Sequence, residues 1–244
     1  MLINGAGPSA TPATNQATLI PVLIFSRMSS TRLPGKALRP ISGKPVLARV
    51  IERCAQARLA GPVVVATSEG TEDAPLVELA RSVDALAFAG SLDDVAARAV
   101  ACARWLGSAD FVRISGDSPF IDPDLIDQAI EIHLRRKPDI TTNTRPRTCP
   151  PGLSVEVVRT EALGRAVEGD ATTEEREHVT AWFYRPGQDV RVESFSPKKP
   201  YAVGAHLTVD TERDLARAER IAAGLPPPLA LASSHLAAEL SLEA

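Results

Sequence analysis

The chain has 244 residues and a net charge of −3, and a chain so near neutral has no global field drawing it to nucleic acid or an anionic membrane. Its 44% apolar and 23% charged content is that of a globular domain, and 4% aromatic residues are too few for a base-stacking surface. No apolar run approaches the ~18 residues of a membrane span, and the first residues lack the basic and apolar regions of a secretory signal, so the expected compartment is the cytoplasm.

In chain order, residues 1–17 are polar, rich in Ala, Pro and Thr, and read as a disordered tail. One domain is expected over 18–225, and the Pro226-Pro227-Pro228 run sets off a C-terminal tail at 226–244. Apolar runs at Leu19–Phe25, Pro62–Thr67, Ala85–Phe88, Phe111–Ile114 and Ile140–Asn143 predict strands. Between them, Pro45–Arg58, Thr71–Val83, Ser91–Leu106 and Pro123–Arg136 carry helical patterns. This alternation predicts an α/β fold with a mainly parallel sheet covered on both faces. Beyond residue 150, strands are expected at Leu153–Val158, Val190–Phe195 and His206–Val209, and helices at Glu161–Val167, Thr173–Tyr184 and Thr211–Ala223.

Ligands of such folds bind beyond the carboxyl ends of strands. Directly after the first strand, Ser26 to Lys36 hold Arg27, Arg32 and Lys36 among the hydroxyls Ser26, Ser29, Ser30 and Thr31. Small residues let backbone N–H groups approach an anion while the cations neutralise it, which suits a triphosphate. The loop is not a P-loop, because Ala37 follows Lys36 where a metal-binding hydroxyl belongs and Ser30 stands at the first glycine. Asp117, in Arg113-Ile114-Ser115-Gly116-Asp117, stands after a strand. Asp122 is the better cap for the helix opened by Pro123, which leaves Asp117 available as a magnesium ligand. Asp210, before the helix capped by Thr211, is a second candidate ligand. In Glu174-Glu175-Arg176-Glu177-His178, the imidazole is a candidate base on a charged helix. Cys54, Cys102 and Cys149 are odd in number and scattered, which suggests neither disulfides nor a zinc site.

Arg27-x-x-Ser30-x-Arg32-Leu33-Pro34-Gly35-Lys36, followed by Gly43-Lys44-Pro45, resembles the opening of the sugar-acid cytidylyltransferases. Arg113-x-Ser115-Gly116-Asp117-x-Pro119-x-Ile121-Asp122, Glu175 to Thr180 and Leu207 to Thr211 are similar, in order, to the later motifs of the spore-coat polysaccharide (SpsF-type) branch, relatives of the CMP-KDO and CMP-sialate synthetases. The likeness spans about residues 20–223. It implies a GT-A-like, Rossmann-type α/β/α sandwich that transfers CMP from CTP to an acidic acceptor, releasing pyrophosphate. By position it implies that Arg27, Ser30, Arg32 and Lys36 grip the triphosphate and that Asp117 and Asp210 hold Mg2+. It places Ala66, Thr67 and Ser68 near base and ribose, and Glu175, Arg176 and His178 on the acceptor side. It also implies a homodimer.

Two departures stand out. The family carries Gln-Ala-Arg-Met-Gly where this chain has Phe25-Ser26-Arg27-Met28-Ser29, and Gly-x-Asp-Val-Glu where it has Gly152-Leu153-Ser154-Val155-Glu156. Losing a carboxylate at Ser154 suits a more anionic acceptor, so a small phosphonate or phosphonocarboxylate rivals a nonulosonic or octulosonic acid. A sugar-1-phosphate nucleotidyltransferase or a GT-A glycosyltransferase is the further alternative. The latter expects Asp-x-Asp where only Asp117 stands.

Overall fold

The apolar runs and amphipathic stretches assemble around one seven-stranded sheet in a computed structural model that describes residues 19–199, 201 and 205–225. The tails expected at 1–17 and 226–244 lie outside the described residues. In chain order the elements are β1 (Ile20–Phe25), α1 (Val46–Cys54), β2 (Ala60–Ser68), α2 (Ala74–Ser82), β3 (Leu86–Gly90), α3 (Val95–Trp105), β4 (Asp110–Ser115) and α4 (Pro123–Arg136). There follow β5 (Ile140–Thr142), β6 (Glu156–Arg159), α5 (Thr160–Glu168), α6 (Thr173–Glu177), β7 (Val192–Ser194) and α7 (Glu212–Ala223).

The strand order is β3-β2-β1-β4-β6-β5-β7. β6 pairs antiparallel with both β4 and β5, and the remaining pairs are parallel, so the sheet is mainly parallel as expected. Alternate β1 residues serve opposite faces. Val22 and Ile24 join a core with α1, α2, α4 and α7, while Leu23 joins one with α3 and α5. Two apolar faces, each covered by helices, make the three-layer α/β/α sandwich.

Caps fix where the helices start. Asp122 accepts from the Asp124 N–H at 2.9 Å with Pro123 in the first turn, so Asp117 is indeed not the cap of α4. Thr172 and Thr211 each close a capping box, with Glu175 and Asp214 respectively.

Two expected elements differ. Thr173–Tyr184 is not one helix. α6 stops at Glu177, Val179 takes φ 59°, and a 3-10 turn runs over Ala181–Tyr184. The break lets Val179, Trp182 and Phe183 all reach the α3/α5 core, which charged residues at helical spacing do not reveal. His206–Val209 is not a strand of the sheet. Its alternation is real, with Leu207 and Val209 buried and His206 exposed. Its backbone instead bonds loops, Leu207 N–H to the Pro151 carbonyl at 2.8 Å and Val209 N–H to that of Asp117 at 2.9 Å. Those bonds bring the end of the domain against the end of β4.

Candidate active site

The loop after β1 is folded rather than merely solvated. Met28 N–H donates to Asp73 Oδ1 at 2.6 Å, and the Met28 carbonyl accepts from the N–H groups of Ser30 at 3.0 Å and Gly35 at 3.3 Å. Leu33 and Ala37 anchor it in the core, and Gly35 turns it with φ 67°. Gly116 lets β4 close on β1, since a Cβ there would stand 2.8 Å from the Ser26 Cβ and 2.9 Å from the Phe25 carbonyl oxygen.

Lys36 is the centre of the site. Its ammonium donates to Asp117 Oδ2 at 2.9 Å and to Asp210 Oδ1 at 2.8 Å, and Arg32 stands 3.1 Å from the same Asp210 oxygen. Burial works against the Lys36 charge, but Asp117 and Asp210 outweigh it and hold its pKa above the usual lysine value. Burial likewise opposes the Asp210 charge, and Lys36 with Arg32 holds that carboxyl below its usual range.

These groups line a cleft of about 450 Å³. Of the residues predicted from sequence, Ser26, Arg27, Ser29, Ser30, Arg32, Lys36, Asp117, Asp210 and His178 all face it. Arg27 spans it to Glu177 at 3.4 Å. A second hollow of about 430 Å³, with Arg145, Glu175, Tyr184 and Arg185 on its walls, meets the cleft at His178.

Five predicted residues lie outside the cleft. Ala66, Thr67 and Ser68 are buried at the end of β2, where the hydroxyls of Thr67 and Ser68 donate to Asp73 Oδ2 instead of facing the cleft. Arg176 is turned to Asp94 at 2.5 Å and to backbone carbonyls, so it staples α6 onto α3. Glu175 reaches only the second hollow, where it caps α6 and pairs with Arg185 at 3.2 Å.

Whether the residues present fit the expected magnesium is a matter of their donor chemistry. Among the described residues no cluster of three or more His, Cys, Asp or Glu side chains could hold an ion. Asp117 and Asp210 nevertheless present oxygens to a single ammonium. Two carboxylates, completed by phosphate and water oxygens, are the donor set magnesium takes.

Residues 21–229 match the cytidylyltransferase family. The chain belongs to that family. It is 31% identical over 198 residues to the spore coat polysaccharide biosynthesis protein SpsF of Bacillus subtilis, covering 79% of this chain and 81% of that one. A cytidylyltransferase from Leptospira borgpetersenii superposes with a TM-score of 0.85 at 24% identity, covering 93% of this chain and 95% of that one. A CMP:2-keto-3-deoxy-manno-octonic acid synthetase solved with CTP gives a TM-score of 0.65 at 19% identity, over 84% of this chain and 98% of the other. Both likenesses support the Rossmann-like nucleotidyltransferase fold.

This cytidylyltransferase also places residues in the cleft that sequence reasoning missed. Arg98, Arg113 and Glu177 line it, and Asp73 supports it from below. Arg113 left a signal, a charge inside the apolar β4 run, and it pairs with the buried Glu156 at 2.8 Å. Glu156 also accepts from Thr180 at 2.8 Å and from the Tyr184 hydroxyl, tying β4 to the wall of the second hollow. Arg98 left none, sitting in an Ala-rich helix as any solvated arginine would.

Proposed function

We propose that this cytidylyltransferase moves CMP from CTP to a small acidic acceptor, releasing pyrophosphate, and that it requires magnesium. The observation that carries the reading is the convergence of Lys36, Asp117 and Asp210 beneath an arginine-bearing loop. The chemical difficulty is that an anion must approach a polyanion. Lys36, Arg32 and Arg27 answer it by placing fixed positive charge where pyrophosphate charge grows in the transition state. Asp117 and Asp210 would hold magnesium, which when bound neutralises the α-phosphate and lowers the pKa of an attacking hydroxyl. His178, at the junction of cleft and hollow, would take the proton of a sugar hydroxyl, with the acceptor in the hollow beside Arg145 and Arg185.

One observation favours a more anionic acceptor. Arg147 donates to the Ser154 hydroxyl at 3.1 Å and pairs with no carboxylate among the described residues. Arg147 is exposed, and a solvated guanidinium with no internal counter-charge would be available to a more anionic acceptor such as a phosphonate or phosphonocarboxylate. A phosphonate oxygen is already ionised at neutral pH, and His178 would then be dispensable.

The deciding experiment follows pyrophosphate release from CTP, UTP, GTP and ATP, with and without magnesium, against a panel of sugar acids and phosphonates. Release only with CTP, magnesium and an acidic acceptor supports the reading. Release with UTP or GTP, or at full rate in chelator, sinks it.

A further inference from the structure

Val179 holds φ 59°, a left-handed backbone that a β-branched residue rarely adopts. The Thr180 N–H donates back to the His178 carbonyl at 2.6 Å and closes a tight, strained turn around it. A residue stays in such a conformation only where its surroundings over-determine it, and such strain gathers at functional sites. Here two contacts hold it. The Val179 side chain is buried in the core with α3 and α5. Thr180, also buried, donates its hydroxyl to Glu156 Oε2 at 2.8 Å.

Glu156 is 2% exposed, a carboxylate deep in the fold. Arg113 donates to its Oε2 at 2.8 Å, while Oε1 accepts from the hydroxyls of Tyr184, of Thr142 at 3.3 Å and of Thr144 at 3.4 Å. A buried ion pair is a weak source of stability, because desolvation offsets its attraction. The bonds of this one have a common direction. Thr180 and Tyr184 bracket the 3-10 turn Ala181–Tyr184, which follows His178 directly and walls the second hollow. Arg113, on the wall of the cleft, fixes the carboxylate from the other side. The His178 side chain is exposed and makes no hydrogen bond among the described residues. Its place at the junction of cleft and hollow is therefore set by the turn that carries it.

We infer that Thr180 and Glu156 are positioning residues for His178. The Thr180–Glu156 bond offsets the strain at Val179 and so keeps the imidazole at the junction. Without that bond the turn relaxes toward negative φ, and His178 leaves the cleft while the core stays folded. The inference rests on the cytidylyl-transfer reading, which gives His178 its task, and adds to it the residues that hold His178 in place.

The test follows the histidine side chains of the full chain, labelled with nitrogen-15, by magnetic resonance with Mn2+ and CTP at saturation. Paramagnetic broadening falls steeply with distance, so it reports where each imidazole stands. His206 serves as the reporter of occupancy, since its Nε2 is 3.4 Å from the Thr208 hydroxyl and that hydroxyl is 3.4 Å from Asp210 Oδ2. Three proteins are compared: wild type, Thr180→Val and Thr180→Ser. Valine keeps the shape of the side chain, removes its hydroxyl and leaves the Glu156–Arg113 pair intact. Thr180→Ala takes its place should valine fail to fold. The expected result is strong broadening of His178 in wild type and Thr180→Ser, largely lost in Thr180→Val, with His206 broadened in all three. A purely structural Thr180 would lower the melting temperature but leave His178 broadened in the folded variant, and that result overturns the inference alone. So does a wild type in which His206 broadens and His178 does not. A wild type that binds no CTP, with neither imidazole broadened, overturns the cytidylyl-transfer reading along with it.

Discussion

Asp210 Oδ1 lies 2.8 Å from the ammonium of Lys36, and that ammonium is simultaneously 2.9 Å from Asp117. The lysine thus occupies the oxygens that the proposed metal would use, and the pair is balanced only while it stays there or a cation replaces it. Lys36→Met should therefore have two effects of opposite sense. Turnover should fall by about 10²–10³-fold, as for loss of one preorganised electrostatic group. Divalent-ion affinity in the absence of nucleotide should rise, because the competing ammonium is gone. Manganese titration followed by paramagnetic resonance measures the second effect, and unchanged or weaker binding would count against Asp117 and Asp210 as ligands.

Asp117→Asn keeps the shape of the side chain and removes its charge. Its expected cost is again about 10²–10³-fold in the rate of pyrophosphate release, steepest at limiting magnesium. Because the Val209 N–H bonds the backbone carbonyl of residue 117 and not its side chain, the C-terminal segment should stay docked. A normal melting temperature with lost turnover is the expected pairing. Full turnover would show that the carboxylate has no part in the chemistry.

The loop that presents these cations hangs on Asp73. Burial opposes the charge of this carboxyl, but hydrogen bonds from Ser68, Met28 and Thr67 hold its pKa below the usual range. A carboxyl with a depressed folded-state pKa stabilises the fold above its unfolded pKa of about 3.9, and that stability disappears as pH falls through the folded value. Asp73→Asn should cost about 1–3 kcal/mol at pH 7. The deficit should begin to shrink below about pH 4, where the carboxyl of the unfolded chain takes up a proton, and go on shrinking until the folded carboxyl is protonated at lower pH. Paired thermal melts from pH 7 to pH 2 measure it, and a deficit independent of pH would mean that the charge of Asp73 does not matter.

Much of this arrangement was legible beforehand because its signals are local. The density of Arg27, Arg32 and Lys36 after an apolar run, and the caps at Asp122 and Thr211 that leave Asp117 and Asp210 for other work, are all short-range patterns. What stayed hidden depends on which way a side chain or the backbone turns once the fold has formed. Thr67 and Ser68 follow a strand and look like ligand groups, but the nearby Asp73 turns both hydroxyls inward. Glu175 and Arg176 sit in a motif with His178, but the end of α6 and the reversal at Val179 send Arg176 to Asp94 and His178 to the cleft. Arg98 reaches the cleft wall only because α3 packs beside Phe25. A strand-like alternation at His206–Val209 misled because a loop edge can satisfy the same pattern as a neighbouring strand.

Ser154 offers a direct trial of acceptor choice. Its hydroxyl is the group that holds Arg147, at 3.1 Å, and Ser154→Asp would give that guanidinium a carboxylate. The pair would be exposed and of little consequence to stability. Its effect should fall on the acceptor, since the charge left for a ligand would be neutralised from within. The KM for a phosphonocarboxylate should rise by about tenfold relative to that for a sugar acid, a difference of about 1.4 kcal/mol, with the KM for CTP unchanged. Steady-state kinetics on both acceptors with the variant and wild type decide it. Equal changes for the two acceptors would separate Arg147 from acceptor recognition and leave the more anionic acceptor without its structural support.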